Sequence, residues 1–197
     1  TLIFAKKAES ELSEITVLHQ ENQGKGKAVQ TGIKEANGDY ILVQDADLEY
    51  DPNDYLKMLK CLDEKNTTVY GSRTLGQVQI HKQGFALLGK HPEQGIGPWL
   101  AGVLLTFWVF ILYGCWITDT LTAYKIYPVE LIKRMNIVTK GFETDHEITA
   151  KLIRSGIRIT EIPINYYPRS VKEGKKIRMI DGFLAAWTLL RFRYTKL

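Results

Sequence analysis

Asp45, Asp47 and Glu49 occupy every second position of "VQDADLEYDP" (43–52), directly behind the apolar run "YILVQ" (40–44). Three carboxylates so close repel one another unless a cation lies among them. On an extended backbone alternate side chains share a face. The spacing therefore predicts an all-oxygen site for a hard ion, Mg²⁺ or Mn²⁺, of the kind that shares its coordination with substrate phosphates. A blander account makes Asp45 and Asp47 turn residues and Glu49 a solvated acid. The position after a strand favours the first account, because ligands of doubly wound sheets bind beyond the carboxyl ends of the strands.

Other groups carry less chemistry on their spacing. "GKGK" (24–27) matches neither a Walker loop nor G-x-G-x-x-G, since Val29 stands at the third glycine position. A basic, glycine-rich helix start can still meet an anion, which makes Gly26 and Lys27 candidates for a diphosphate; a plain flexible helix start is the alternative. "DHEIT" (145–149) lacks the second histidine of a zinc helix, so His146 reads as a first-turn residue, and Glu147 is placed to pair with Lys151.

These groups must be held by a scaffold of 197 residues, 45% hydrophobic and 24% charged, enough for one α/β domain with its own core. Cys61 and Cys115 fit no metal or redox spacing and read as reduced thiols of a cytosolic protein. The net charge of +4 is uneven. Residues 169–197 carry eight Lys or Arg against Glu173 and Asp181, which points to phosphate groups on a ligand, a nucleic acid or a lipid surface. No nucleic-acid docking motif accompanies that charge, so nucleic acid is the weakest of the three.

"ITVLH" (15–19), "YILVQ" (40–44), "TTVYGS" (67–72), "TLTAYKIYP" (120–128) and "IRITEIPINYYP" (157–168) read as strands, the second buried on both faces and the last marked by Pro163 as an edge or bulge. Helices are expected over 24–39, over 51–66 with Asp51 as N-cap, over 143–156 and over 179–194. The alternation implies a mostly parallel sheet flanked by helices. Residues 75–97 lack periodicity and read as a mobile loop. "WLAGVLLTFWVFILYGCWI" (99–117) has no charge and reads as an apolar helix, buried or interfacial rather than spanning.

Taken in order, "NQGKGKAVQTGIKEANGDYILVQDADLEYDP" (22–52), "VYGSR" (69–73), "LYGCWITDTLTAYKIYP" (112–128), "GFETDHEITAKLIRSGIRITEIPINYYPRS" (141–170) and "EGKKIRMIDG" (173–182) resemble the family 2 glycosyltransferases. The likeness is to the branch of dolichyl-phosphate mannose and glucose synthases. It implies a GT-A fold over residues 1–170, followed by a basic closing loop and amphipathic helix over 171–197. It also implies that the chain enters at a helix and lacks the first strands, which hold the nucleotide base in the family.

The resemblance assigns roles residue by residue. Asp45 and Asp47 match the metal-binding D-x-D, and Glu49 a third metal-facing position. Arg73 and Arg169 match basic residues that meet the donor diphosphate or an acceptor phosphate, and Lys175 and Lys176 belong to the closing loop. Asp119 opens a D-x-x-T-x-Y-K stretch near the acceptor. Asp145 falls at the position of a catalytic base, with Thr144 in place of the preceding Glu.

The implied activity is inverting transfer of a hexose from UDP-glucose or GDP-mannose to a polyprenyl or dolichyl phosphate, at the cytoplasmic face of a membrane. Trp99, Trp108 and Tyr113 would suit the membrane interface. A hydroxyl acceptor in glycolipid or polysaccharide synthesis is the enzymatic alternative, with Asp145 or Asp119 as base. A non-catalytic nucleotide-sugar or lipid-phosphate binding module is the other.

Overall fold

A computed structural model of the chain describes residues 2–63, 67–81, 89–169 and 179–195. The elements run α1 (Leu2–Glu11), α2 (Lys25–Glu35), β1 (Tyr40–Leu42), α3 (Asp54–Lys60), β2 (Thr68–Ser72), α4 (Arg73–His81), α5 (Ile96–Tyr113), β3 (Lys125–Pro128), α6 (Val129–Arg134), α7 (Thr144–Arg154), β4 (Ile159–Pro163) and α8 (Met179–Tyr194). Lys175 and Lys176, with the rest of the expected closing loop, lie outside the described residues.

The four strands form one sheet in the order β1-β3-β2-β4. β2 and β4 pair in parallel, whereas β3 pairs antiparallel with both β1 and β2. Strands β1, β2 and β4 thus share a direction, as the α/β alternation predicts, and β3 is the exception. Among the described residues two helices, α4 and α5, lie between β2 and β3, and the chain re-enters the sheet from the opposite end. Pro163 ends β4, which lies at the sheet margin, the place proline tolerates.

Alternate residues send their side chains to opposite faces. Val69 and Ile126 join Met58, Tyr124 and Ile164 on the side of α3. Tyr70 and Tyr127 join Val109, Ile132, Ile148, Leu152 and Leu189 on the side of the longer helices. On that second side α5 and α8 are stitched together through main-chain carbonyls. Trp108 Nε1 donates to Ala186 O (3.0 Å), Tyr113 OH to Leu189 O (2.6 Å) and Arg193 Nε to Leu112 O (2.6 Å). Trp108 and Tyr113, expected to suit a membrane interface, join α5 to α8.

Several local expectations are corrected. Residues 15–19 form no strand, because β-branched residues make one only where a neighbour offers a ladder. β1 is a short margin strand with Tyr40 exposed, not one buried on both faces. Part of the expected 75–97 loop is helical, since α4 continues directly from β2 to His81 and α5 begins at Ile96. Asp51 caps the turn before α3, not the helix itself: its Oδ1 accepts from Asn53 N at 2.9 Å, and α3 starts at Asp54. α6 follows β3 without a linker and had no periodic signal.

Candidate active site

The shared direction of β1, β2 and β4 delivers their carboxyl ends to one edge of the sheet. Asp45–Glu49 follow β1, Arg73 follows β2, and Tyr166–Arg169 follow β4. β3 begins at this edge with Lys125, preceded by Asp119, and α7 brings Asp145 in its first turn.

The three acids behind β1 do not point into one space. Leu48, a non-glycine residue, has φ 61°, in the left-handed region. That twist breaks the extended alternation between Asp47 and Glu49, and Glu49 N donates back to Asp47 Oδ1 at 3.2 Å. Among the described residues no three Asp, Glu, His or Cys side chains gather as a metal cluster. Glu49, the third expected metal-facing residue, points away from the other two. It is buried, with Oε1 accepting from Arg169 N (2.9 Å) and Nε (3.4 Å) and Oε2 from Tyr166 OH (3.1 Å). Asp45 and Asp47 keep partly exposed carboxylates, hard oxygen donors suited to a divalent ion that completes its shell on a diphosphate. The donor chemistry of these two fits such an ion, whereas the Glu49 carboxylate is already taken up by Arg169 and Tyr166.

Each aspartate already faces a cation. Lys25 Nζ lies 2.7 Å from Asp45 Oδ2 and 4.0 Å from Asp145 Oδ2. Burial works against the charge of Lys25, but Asp145 and Asp45 outweigh it and leave its affinity for the proton raised. Arg169 Nη2 lies 2.9 Å from Asp47 Oδ2. Lys125, fully buried, has its Nζ 3.6 Å from Asp145 Oδ1 and donates to Thr120 O at 3.1 Å. Burial lowers the proton affinity of Lys125, and the neighbouring Lys25 adds to that, against the pull of Asp145. Asp145 therefore stands between two ammonium groups.

Arg73 meets Asp119 at two points, Nε to Oδ2 and Nη2 to Oδ1, both 2.7 Å, and its backbone N–H adds a third bond to Oδ2 at 3.0 Å. The guanidinium also lies 4.9 Å from the centre of the Tyr166 ring. Behind this pair, Glu161 of β4 accepts from Thr118 N (2.8 Å), Thr118 Oγ1 (2.9 Å) and Asp119 N (3.1 Å). Burial pushes the Glu161 carboxyl up to about 7; the bonds from Thr118 oppose the rise and the charge of Asp119 adds to it. A cleft beside Arg73 and Asp119 is walled by Pro98, Trp99, Val103 and Leu121, so a polar floor adjoins the first turns of the apolar α5.

Gly26 and Lys27, the expected diphosphate contacts, stand in the first turn of α2 against the loop before α7. Gly24, with φ 98°, and Gly26 press against the loop before α7, where Lys27 N donates to Lys140 O at 3.1 Å. A methyl group on Gly26 would fall 2.7 Å from the Lys140 carbonyl carbon and overlap Thr144 Oγ1. The glycines serve close packing here, and Thr144 stands small where the resemblance expects Glu. Sequence reasoning missed Lys25, Lys125, Tyr166 and Glu161. Lys25 and Lys125 stood in quoted motifs, "GKGK" and D-x-x-T-x-Y-K, but only the tertiary structure points them at Asp145.

The family model described as "Glycosyl transferase family 2" matches residues 1–103, more than half of the sequence, and the chain belongs to that family. It is 25% identical over 188 residues to the UDP-N-acetylglucosamine–dolichyl-phosphate N-acetylglucosaminyltransferase of Methanococcus voltae, covering 92% of this chain and 70% of that protein. It is 25% identical over 177 residues to the low-salt glycan biosynthesis hexosyltransferase Agl6 of Haloferax volcanii, covering 89% of this chain and 39% of Agl6. The fold matches that of glucosyl-3-phosphoglycerate synthase from Mycobacterium tuberculosis in complex with UDP, with a TM-score of 0.59 at 17% identity. That match covers 92% of this chain and 58% of the synthase, which has also been crystallised with Mn²⁺ and UDP-glucose. The fold is thus the GT-A fold of this family.

Proposed function

We propose that the chain is the catalytic portion of an inverting, metal-dependent glycosyltransferase that moves a hexose from a nucleotide-sugar to a polyprenyl phosphate. The observation that carries this reading is the state of the two candidate bases. Asp119 is held at both oxygens by Arg73, and Asp145 stands between Lys25 and Lys125. Such an arrangement suits an acceptor that arrives already ionised and has no proton to give up. The Methanococcus voltae relative, named for a dolichyl-phosphate acceptor, agrees with it.

In the reaction a phosphate oxygen of the acceptor bonds to the anomeric carbon as the bond from that carbon to the donor diphosphate breaks. The electron pair leaves with the nucleoside diphosphate, and the configuration inverts. Asp45 and Asp47 would hold Mg²⁺ or Mn²⁺, which when bound supplies positive charge to the leaving diphosphate. Arg169, beside Asp47, would meet phosphate oxygens of donor or acceptor. Lys175 and Lys176 keep the acceptor-phosphate role that the family likeness implies.

The lipid acceptor also suits the outer face of α5. Its length and composition would allow a membrane crossing, and only 17% of it is buried, with Leu105, Thr106 and Val109 packed inward. Ile96, Leu100, Leu104, Phe107 and Ile111 face outward, with Phe183 and Trp187 exposed on α8. This supports peripheral docking on a lipid surface, with Arg191 and Arg193 in the last turn of α8 as headgroup partners.

The test incubates the protein with Mn²⁺, polyprenyl phosphate and labelled UDP-glucose, UDP-N-acetylglucosamine or GDP-mannose, and counts label in the organic phase. Metal-dependent label that Asp47→Ala abolishes, and that Asp145→Asn reduces by no more than about tenfold, is expected; loss of a true general base costs about 10²–10⁴-fold. Label found only on hydroxyl acceptors, and lost in Asp145→Asn, would replace this reading with the hydroxyl-acceptor one. Nucleotide binding without any transfer would leave a binding module.

A further inference from the structure

The two aspartates of the D-x-D motif are engaged in matching ways. Lys25 bridges Asp45 (2.7 Å) and Asp145 (4.0 Å). Arg169 bridges Asp47 (2.9 Å) and Glu49 (3.4 Å). In each case the cation touches one carboxylate inside the motif and one outside it. The outer carboxylates are otherwise anchored: Glu49 by Tyr166 OH and Arg169 N, and Asp145 by Lys125. The side chains of Lys25 and Arg169 are 20% and 34% exposed, and those of Asp45 and Asp47 are 32% and 21% exposed, so both pairs lie within reach of an incoming ion.

We propose that Lys25 and Arg169 are resident counter-cations of Asp45 and Asp47, exchanged when a divalent ion arrives with the donor diphosphate. Like charges so close cannot share a carboxylate with a metal ion without strong repulsion. The displaced ammonium and guanidinium need not enter bulk water. Each already contacts its outer carboxylate, and from there it can turn to a diphosphate oxygen. Asp145 and Glu49 become the holding points of the exchange, a positioning role that differs from the base and metal-ligand roles of the family likeness. Each motif aspartate is thereby paired with a cation before ligand arrives, and metal alone binds weakly until a diphosphate brings oxygens for the freed cations. This inference rests on the assignment of a metal to Asp45 and Asp47.

The experiment titrates Mn²⁺ into the 197-residue protein without nucleotide and follows free Mn²⁺ by electron paramagnetic resonance, with Asp47→Ala as control and circular dichroism to check folding. Arg169→Gln is expected to tighten Mn²⁺ binding about fivefold or more, the equivalent of removing one part-exposed ion pair that competes with it. Lys25→Gln should tighten it likewise, independently of the Glu49 contacts. Glu49→Gln should weaken binding in the parent protein, because Arg169 then rests wholly on Asp47, and should change nothing in the Arg169→Gln background. Unchanged or weaker binding in both cation variants overturns the exchange and leaves the metal assignment standing. A loss on Glu49→Gln that persists without Arg169 makes Glu49 a metal ligand and also overturns it. No Asp47-dependent Mn²⁺ binding in any variant removes the metal assignment itself, and the exchange with it.

Discussion

Arg73 and Asp119, 46 residues apart in the chain, meet in a two-point ion pair with both contacts at 2.7 Å. The pair joins the end of β2 to the loop before β3, and Glu161 secures that loop from β4 by accepting the N–H groups of Thr118 and Asp119. Lysine offers a point charge in place of the planar fork. Arg73→Lys and Asp119→Asn should each lower kcat/KM about 10–100-fold, and the double variant should be no worse than either single one, because the two act as a unit. Initial rates of the four proteins complete the cycle. Additive losses would mean that each residue contacts substrate by itself.

His146 makes a prediction about pH. It is buried, neither ring nitrogen has a hydrogen-bond partner, and burial, with Lys125 adding to it, lowers its pKa to about 4. Unfolding restores the ordinary value near 6.5. Between those values the unfolded chain binds the extra proton, so this residue makes stability fall as pH drops from about 6.5 to about 4. The full effect is on the order of 3 kcal/mol. Urea unfolding at pH 7 and pH 4.5 should show a smaller acid loss in His146→Leu than in the parent. Equal losses would show that the buried imidazole does not resist protonation.

Gly26 lies too close to its neighbours to accept a side chain. A methyl group there meets Thr144 Oγ1 and the Lys140 carbonyl carbon, and the second is backbone that cannot rotate away. Gly26→Ala should cost about 1–3 kcal/mol, the range for overpacking, and lower the thermal midpoint. Gly32→Ala, in open space on the same helix, should leave it unchanged or raise it slightly. A neutral Gly26→Ala would free the "GKGK" turn for ligand contact.

The outer face of α5 can be tested apart from catalysis. Leu104 and Ile111 are 59% and 69% exposed, so glutamate at both should cost little stability. It should lower partition onto anionic lipid vesicles about tenfold or more in sedimentation, since apolar area is lost and negative charge gained. Unaltered partition would assign the face to something other than lipid.

Much of the local structure is legible in the sequence. α7 sits where acids precede and basics end a helical pattern, and Glu147 pairs with Lys151 at 2.6 Å as the i,i+4 spacing predicts. α5 and α8 follow from their apolar runs, and "DADLE" stands beyond a strand end as its position suggests. "ITVLH" shows the limit of such reading, because a strand exists only where another segment accepts its hydrogen bonds.

Composition, periodicity and motif spacing determined an α/β chain with its acids at a strand end, and the resemblance of its ordered motifs supplied the glycosyltransferase character. The tertiary structure alone decided what those acids touch. Helix caps and apolar stripes depend on residues a few positions apart, and local sequence records them directly. The partners of Asp45, Asp119 and Asp47 lie 20, 46 and 122 residues away. Those distances close only because β1, β2 and β4 run in one direction and end together at one edge of the sheet. The left-handed turn at Leu48 then points Glu49 toward Tyr166 and Arg169, a choice made by packing and charge across the sheet edge.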